Sequence, residues 1–255
     1  MARITCIGNQ KGGVGKTSTA HALTTGLARK GKRVLAVDID PQANLTYALG
    51  GNDQTAGVNE ILHAQVDIKE TIQHLSQCDL IPSSLRLVSA ELDFQEMGRE
   101  YLLKESLNAI SGEYDYIVLD APPSLGLLTI NALTASSDVV ITLGADIFSV
   151  QGLSQFYKTI TKTKKYTNPS LKIAGLLITR YSDRAIMSKD LKDLIDEQAA
   201  KLETKMYHTV IREGIAVKEA QTQKSSIFTI AMRSNPAQDY LNFIEEYLER
   251  IDEDA

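Results

Sequence analysis

Near its N-terminus the chain carries the segment Gln10-Lys11-Gly12-Gly13-Val14-Gly15-Lys16-Thr17, which follows an apolar stretch and opens a helical pattern. A glycine-rich turn in this strand–loop–helix context is typical of a loop that binds phosphate. Glycine allows the backbone to turn its N–H groups around a phosphate, because a Cβ atom would block positive φ values or close approach. The segment predicts a nucleotide site formed by residues Lys11, Gly12, Gly13, Val14, Gly15, Lys16, Thr17 and Ser18.

Two side chains of the loop have a specific chemistry. Lys16 is expected to bring its ammonium group to the β- and γ-phosphate oxygens of a nucleotide, and Thr17 to offer its hydroxyl group to Mg²⁺. The strict pattern GxxxxGK[ST] is not met, since Gln10 occupies the first glycine position. A second lysine, Lys11, stands directly before the double glycine instead.

Two acidic strand ends accompany the loop. The apolar stretch Tyr116–Asp120 ends in a carboxylate, and an earlier apolar stretch ends in Val37-Asp38-Ile39-Asp40. Because ligands of doubly wound sheets bind beyond the carboxyl ends of the strands, we expect these acids to meet at the loop. Asp120 is expected to orient Mg²⁺, and either Asp38 or Asp40 to position an attacking water molecule.

Apolar runs alternate with helical patterns over most of the chain. The runs are short, rich in Val, Ile and Leu, and lack polar alternation, as in parallel strands covered on both faces. The predicted strands are Arg3–Gly8, Arg33–Asp38, Tyr114–Asp120, Val139–Leu143 and Leu171–Ile178, and the predicted helices are Lys16–Lys30, Ser124–Thr134, Ser149–Thr163, Ser188–Leu202 and Ala237–Ile251. This order predicts an α/β fold with a doubly wound, mostly parallel sheet flanked by helices, in one domain over residues 1–255. The stretch Gly51–Gly112 is least clear and contains the short apolar run Cys78–Ile81.

The composition is that of an ordinary globular protein. The chain has 255 residues, of which 43% are hydrophobic and 23% charged, enough for one large α/β domain. Its two cysteines, Cys6 and Cys78, cannot form a CxxC pattern for zinc or an iron–sulfur cluster. The N-terminus lacks the pattern of a signal peptide, and no apolar run is long enough to span a membrane, so we expect a cytoplasmic protein.

Charge is unevenly distributed along the chain. The net charge is −5, yet the segment Lys158–Lys224 contains 14 basic and eight acidic residues. From Ala237 onward there are seven acidic residues and one arginine. A basic segment within an acidic protein can bind polyanions, although solvated helix faces explain the same pattern.

The motifs resemble those of one family. Lys11–Thr17 resembles the deviant Walker A box of the ParA/MinD-type ATPases, Val37–Asn44 their Walker A′ box, and Ile117–Pro123 their Walker B box. The segment Ser124–Leu133 is similar to the ParA branch. The resemblance covers most of the chain and is weakest at Gly51–Gly112. It implies a P-loop ATPase that uses ATP and Mg²⁺ and forms a homodimer when ATP is bound.

The resemblance also implies roles for single residues. Lys11 corresponds to the signature lysine, which in the family reaches across the ATP-bound dimer to the phosphates of the partner. Asp40 takes the water-positioning role and Asp120 the Walker B role, and both are placed with Thr17 at the Mg²⁺ ion. Thr179 lies where the family often has a residue that contacts adenine.

Members of the family segregate DNA, mark membranes or serve metalloclusters. The cysteine count argues against the metallocluster branch, and the acidic helical pattern Tyr240–Ala255 argues against a MinD-like membrane-binding tail. Arg184 resembles an arginine with which ParA proteins contact DNA without sequence preference. A second family arginine is replaced by Ala216 here, so neighbouring basic residues become candidates. The candidate DNA contacts are Arg184, Arg212, Lys218 and Lys224.

These observations lead to the hypothesis of a ParA-like DNA-partition ATPase. It is expected to bind duplex DNA non-specifically, to associate with the nucleoid and to be stimulated by a ParB-like centromere-binding adaptor. An N-terminal helix-turn-helix extension is not expected, because the Walker box begins at the first strand. Two alternatives stay open: a MinD-like positioning ATPase for a cargo other than DNA, and an ATP-switched scaffold or regulator with little turnover.

Overall fold

A mostly parallel sheet lies at the centre of the structure, a computed structural model that describes residues 1–93, 98–182 and 189–253. Within these ranges seven strands pair in the order β3-β4-β2-β5-β1-β6-β7. Neighbouring strands are parallel except β3 and β4, which are antiparallel. The strands are β1 (Arg3–Gly8), β2 (Val34–Asp38), β3 (Gln73–His74), β4 (Asp79–Ile81), β5 (Tyr116–Asp120), β6 (Asp138–Gly144) and β7 (Lys172–Thr179).

Helices cover both faces of this sheet. Short 3₁₀ helices lie at Ile68–Thr71 and Arg99–Tyr101. In the described part of the chain the α-helices are α1 (Lys16–Arg29), α2 (Asn44–Leu49), α3 (Val58–Leu62), α4 (Leu87–Asp93), α5 (Leu102–Ile110), α6 (Leu127–Ala135), α7 (Ile147–Tyr166), α8 (Lys189–Lys201), α9 (Ile215–Thr222), α10 (Ile227–Ile230) and α11 (Asn235–Glu253).

Successive residues of the central strands belong to different cores. On one face Cys6, Val37 and Leu119 pack against helices α3 to α8. On the other face Ile7 and Val118 pack against α1, α2 and α9 to α11. Side chains alternate along a strand, so a sheet buried on both faces needs apolar residues at every position. This explains why the strands read as continuous apolar runs.

The strand order places a crevice at the end of β1. Strand β1 lies between β5 and β6, with β2 beyond β5 and β7 beyond β6. The connections that leave the carboxyl ends of β1 and β6 therefore run to opposite sides of the sheet. In open α/β sheets such a switch point is where ligands bind. The predicted phosphate loop follows β1 at this place.

The predicted fold class and the five predicted strands are confirmed, with strand ends that differ by at most two residues. Gly31 follows the first helix as a C-terminal glycine cap, with a φ of 80° and its N–H donating to the Ala28 carbonyl oxygen. The unclear stretch Gly51–Gly112 contains short helices, the edge strand β3 and its neighbour β4.

The C-terminal helix α11 packs against the sheet, as its apolar spacing predicts. Its buried residues include Tyr240, Phe243 and Tyr247. Its acidic face is not wholly solvated, since Glu246 accepts hydrogen bonds from the backbone N–H groups of His208 and Thr209 at 2.8 and 3.0 Å. Among the described helices, none combines the length and apolar content that a membrane crossing requires.

Candidate nucleotide-binding site

The glycine-rich loop joins β1 to α1 through left-handed backbone. Gly13 and Gly15 both have a φ of 74°, a conformation that favours glycine, and Gly15 caps the N-terminus of α1. A Cβ atom at Gly15 would lie 3.0 Å from the hydroxyl oxygen of Thr179. The helix begins directly at Lys16, so its unpaired N–H groups and its dipole face the loop. The loop therefore has the geometry of an anion site.

Lys16 is buried at the base of the loop, with 6% of the residue exposed. Its ammonium group donates to the carbonyl oxygen of Lys11 at 3.0 Å. Burial lowers the pKa of Lys16, although the nearby charges of Asp120 and Asp40 act in the opposite direction. The structure thus brings Lys16 together with both predicted acids.

Asp38 and Asp120 face each other across the pairing of β2 with β5. Both residues are completely buried. Burial raises the pKa of Asp38 to about 7 and that of Asp120 well above its usual range, and the charge of Asp38 adds to the shift of Asp120. The Thr17 side chain lies close enough to Asp120 to lower its pKa, against the effect of burial, and no other hydrogen bond to either carboxylate oxygen is formed among the described residues. Such a group needs a compensating ligand.

The acids and the hydroxyl group at this site fit a magnesium ion. Mg²⁺ prefers carboxylate, hydroxyl and water oxygens, and a divalent cation would compensate the completely buried carboxylate of Asp120, beside which the Thr17 hydroxyl group lies. Thr17 lies in the first turn of α1, directly after Lys16. The residues present can therefore hold the metal that accompanies a nucleotide.

The structure distinguishes Asp38 from Asp40. Asp38 accepts hydrogen bonds from the Thr46 N–H and hydroxyl groups at 2.7 and 2.8 Å, and from the Asp40 N–H at 3.1 Å. Asp40 is 8% exposed and accepts a bond from the Gln42 N–H at 2.9 Å. Asp38 thus fixes the loop after β2, whereas Asp40 is the more exposed of the two acids.

Lys11 projects from the loop toward the start of α7. Its ammonium group lies 2.8 and 3.1 Å from the two carboxylate oxygens of Asp146 and 3.0 Å from the Ser149 hydroxyl oxygen. Asp146 caps α7 by accepting a bond from the Ser149 N–H. Burial alone would raise the pKa of Asp146, but hydrogen bonds from Lys11 and Ser149 hold it below its usual value.

The structure gives Thr179 a different place from the one expected. Its residue exposure is 1%, and its hydroxyl group donates to the Val14 carbonyl oxygen at 2.8 Å and to that of Leu143 at 3.3 Å. A contact with adenine is not supported, because the side chain is enclosed behind the loop. The neighbouring Arg180 donates to the Gly13 carbonyl oxygen at 2.9 Å.

The candidate DNA contacts differ in their surroundings. Arg184 lies outside the described residues. The Arg212 guanidinium donates to both carboxylate oxygens of Asp239, at 2.9 and 2.6 Å, and is therefore charge-compensated. Lys218 on α9 and Lys224 just beyond it are exposed, and the Lys224 ammonium lies 4.9 Å from the centre of the Tyr47 ring.

Sequence reasoning did not find Asp146, Ser149 and Arg180 as neighbours of the loop. Asp146 followed three residues later by Ser149 has the spacing of a helix cap, which identifies the start of α7 but not its contact with Lys11. Arg180 directly follows a strand end, where ligand-site residues of such sheets gather.

Comparison with known proteins agrees with this geometry. A family model described as an AAA domain matches residues 2–173. The sporulation initiation inhibitor protein Soj of Bacillus subtilis is 40% identical over 251 residues, covering 96% of this chain and 98% of Soj. A Mycobacterium smegmatis structure named cobyrinic acid a,c-diamide synthase, with bound ATP analogue and magnesium, has a TM-score of 0.82 at 32% identity and covers 100% of this chain and 98% of that chain. A plasmid partition protein from Borrelia burgdorferi has a TM-score of 0.76 at 30% identity, with coverage of 98% and 99%.

The fold and the loop define a P-loop nucleotide-binding protein. The chain belongs to the AAA domain family, in the Soj and ParA branch of the ParA/MinD-type ATPases.

Proposed function

We propose that the chain is a ParA-like partition ATPase that dimerises on MgATP, binds duplex DNA without sequence preference and hydrolyses ATP slowly. The observation that carries the proposal is the separation of the two loop lysines. Lys16 is buried beside Asp40 and Asp120, whereas the ammonium group of Lys11 lies beside Asp146 at the start of α7. One lysine thus lies where it can serve the nucleotide of its own subunit, and the other would act on the nucleotide of a second subunit after leaving its pair with Asp146.

ATP and Mg²⁺ are the cofactors in this proposal. The M. smegmatis relative was solved with an ATP analogue and magnesium, which supports the assignment. The loop from Lys11 to Ser18 would hold the phosphates, and Thr17, Asp40 and Asp120 would hold the metal directly or through water. Bound Mg²⁺ would supply positive charge at the phosphate oxygens.

Asp40 positions the water molecule that attacks the γ-phosphate. Its greater exposure supports this role over Asp38, whose carboxylate already accepts three hydrogen bonds. Lys16 compensates charge on the transferred group, and Lys11 of a second subunit adds a cation there. A cation supplied across an interface stabilises transition-state charge, as arginine fingers do in other NTPases.

Non-specific DNA binding rests on exposed cations. Lys218 and Lys224 are exposed on and just after α9, a helix whose Gln221 donates to the Ser18 hydroxyl oxygen at 3.2 Å. Phosphate contacts by such residues give affinity without sequence information. Arg184 is retained as a candidate from its sequence resemblance, while Arg212 is assigned to packing against Asp239.

A ParB-like adaptor that stimulates hydrolysis, and association with the nucleoid, complete the proposal. Soj and a plasmid partition protein among the similar proteins support a role in partition. The acidic residues of α11 give no support to binding of anionic lipids.

A gel-shift titration separates partition from the alternatives. Two unrelated duplexes of equal length are titrated with the protein in MgATP, MgADP or no nucleotide, at low and at physiological salt. We expect equal binding of both duplexes with MgATP only, and weaker binding at the higher salt. No binding with MgATP at low salt would contradict the DNA role and favour a MinD-like cargo ATPase. Normal binding without any hydrolysis would favour an ATP-switched regulator.

A further inference from the structure

The end of β7 contacts the backbone of the phosphate loop. Thr179 donates from its hydroxyl group to the Val14 carbonyl oxygen at 2.8 Å. The next residue, Arg180, donates from Nη1 to the Gly13 carbonyl oxygen at 2.9 Å. Two consecutive carbonyl groups of the loop are thus held by two consecutive residues of one strand end.

These bonds fix the direction of two backbone N–H groups. The C=O and N–H groups of a trans peptide unit lie in one plane and point in opposite directions. A Gly13 carbonyl held toward Arg180 therefore turns the Val14 N–H away from Arg180. The Thr179 bond does the same for the Gly15 N–H. Both N–H groups then point away from β7, toward the side on which a phosphate would lie.

Arg180 is held in an unusual backbone conformation. Its φ is 53°, in the left-handed region, which is energetically costly for a residue other than glycine. The next residue, Tyr181, keeps this conformation in place, because its N–H donates to the Ile211 carbonyl oxygen and its carbonyl oxygen accepts from the Glu213 N–H. Such a cost is consistent with a residue that positions other groups.

The guanidinium group of Arg180 bridges two parts of the chain. Its Nη2 atom lies 3.2 Å from the Glu213 carboxylate, just before α9, while Nη1 binds the loop. The planar fork of arginine can satisfy two acceptors in fixed geometry, which the single ammonium of lysine cannot reproduce. Glu213 thus orients the Arg180 guanidinium group, which in turn binds the Gly13 carbonyl oxygen.

We propose that Arg180 is a positioning residue for the phosphate loop, orienting the Val14 N–H toward the β-phosphate of a bound nucleotide. The inference rests on the proposed nucleotide site. It concerns a phosphate that ADP and ATP share, so loss of Arg180 weakens binding of both to the same extent. Arg180 acts through the backbone, so the effect persists when salt screens charge.

Calorimetric titration of MgADP and of a non-hydrolysable MgATP analogue tests the proposal, at about 50 and 500 mM salt. We expect Arg180→Met and Arg180→Lys to weaken both nucleotides by about 3- to 10-fold at both salt concentrations, the scale of one charged hydrogen bond. Glu213→Gln is expected to give a smaller loss. The ³¹P chemical shift of the β-phosphorus in saturated MgADP complexes should also differ between Arg180→Met and wild type.

Arg86 offers a matched control. It pairs with Glu60 at 3.0 Å and donates to the Thr55 carbonyl oxygen at 3.0 Å, and its side chain is 53% exposed, against 57% for Arg180. Arg86→Met should leave nucleotide affinity unchanged. Unchanged affinity in Arg180→Met, or a loss limited to the ATP analogue or to low salt, would overturn the positioning role. Failure of the wild-type protein to bind either nucleotide would instead contradict the proposed function.

Discussion

The ammonium group of Lys11 lies within hydrogen-bond distance of both carboxylate oxygens of Asp146, the residue that caps helix α7. The proposed action of Lys11 on a partner's nucleotide requires that this ion pair break. The ion pair therefore opposes dimerisation, by an amount set by its partial exposure: the side chains of Lys11 and Asp146 are 35% and 42% exposed. Partly exposed ion pairs contribute about 0.2–1 kcal/mol.

The substitution Asp146→Asn should strengthen the MgATP-dependent dimer. Asparagine caps helices as well as aspartate does, so α7 keeps its cap while Lys11 loses a charged partner. We expect the dimer dissociation constant, measured by sedimentation with MgATP, to fall by about two- to fivefold. Asp115→Asn is the control for charge, because Asp115 pairs with Arg33 at the amino end of β5. An unchanged or weaker dimer in Asp146→Asn would contradict the inhibitory role of the ion pair.

The two loop lysines should give different phenotypes. Lys16→Ala removes a buried ammonium group from the phosphate site and should weaken MgATP binding by about 10- to 100-fold, on the scale of one or two charged hydrogen bonds. Lys11→Ala should bind MgATP as a monomer but fail to dimerise or hydrolyse it. Fluorescent-nucleotide binding and sedimentation measure the two properties. Normal dimerisation and turnover in Lys11→Ala would show that Lys11 does not act in trans.

Asp40 should control the rate of ATP hydrolysis. Asp40→Ala should bind MgATP and dimerise, yet hydrolyse ATP about 10²–10⁴-fold more slowly, the range for loss of a proton-accepting or water-positioning group. Single-turnover phosphate release measures the chemical step directly. A variant with near-normal release would transfer the role to Asp38 or Asp120. Asp120→Ala should additionally reduce the dependence of nucleotide binding on Mg²⁺.

The buried carboxyl group of Asp38 should make stability depend on pH. Its pKa is about 7 in the native state, chiefly through burial, against 3.8 without that environment. Between these values the native state binds more protons than the unfolded state, so this group lowers the free energy of unfolding as pH rises. His21 acts oppositely, because burial lowers its pKa from 6.5 to about 4.

In wild type the effects of Asp38 and Asp120 oppose that of His21 between about pH 5 and 6.5, whereas Asp38→Asn lacks the contribution of Asp38 and retains those of Asp120 and His21. The free energy of unfolding of Asp38→Asn, relative to wild type, should rise by up to about 1.4 kcal/mol per pH unit in this range. Urea titrations of the nucleotide-free protein at several pH values provide the measurement. Parallel profiles for the two proteins would show that Asp38 is already ionised.

The sequence predicts local features of this fold better than contacts between distant residues. Continuous apolar runs such as Ile117–Leu119 identify buried parallel strands, because both faces of each strand pack against helices. The edge strand β3 and its neighbour β4 have two and three residues, too few for a periodic pattern. Helices α9 and α10 were not predicted, since eight and four residues give little helical periodicity.

At the candidate site the loop and the acids could be predicted, but the support of the loop could not. Lys16 and Asp120 occupy fixed places relative to a strand end or helix start. The bonds of Lys11 to Asp146 and of Thr179 to Val14 join residues 135 and 165 positions apart. Only the folded sheet, which sets β6 beside β1 and β7 beside β6, brings these residues together.

Arg212 and the two exposed lysines should respond differently in DNA binding. Arg212→Ala leaves the carboxylate of Asp239 without its guanidinium partner, and Asp239 is 6% exposed. Its main effect should be a loss of stability of about 3 kcal/mol, in the range for removing one partner of a buried pair. A weaker gel shift in that variant would follow from unfolding and would say little about DNA contact.

The double variant Lys218→Ala, Lys224→Ala tests the DNA surface more directly, because both side chains are exposed and their removal should leave stability nearly unchanged. With MgATP, its affinity should fall to a similar extent for unrelated duplexes, since phosphates carry no sequence information. The slope of log K against log salt should become shallower by about 0.9 for each DNA phosphate that the variant no longer neutralises, while basal ATP hydrolysis is retained. Lys32→Ala is the control, because Lys32 lies beyond the far end of α1 from the phosphate loop. An unchanged salt slope in the double variant would place the DNA contacts elsewhere on the protein.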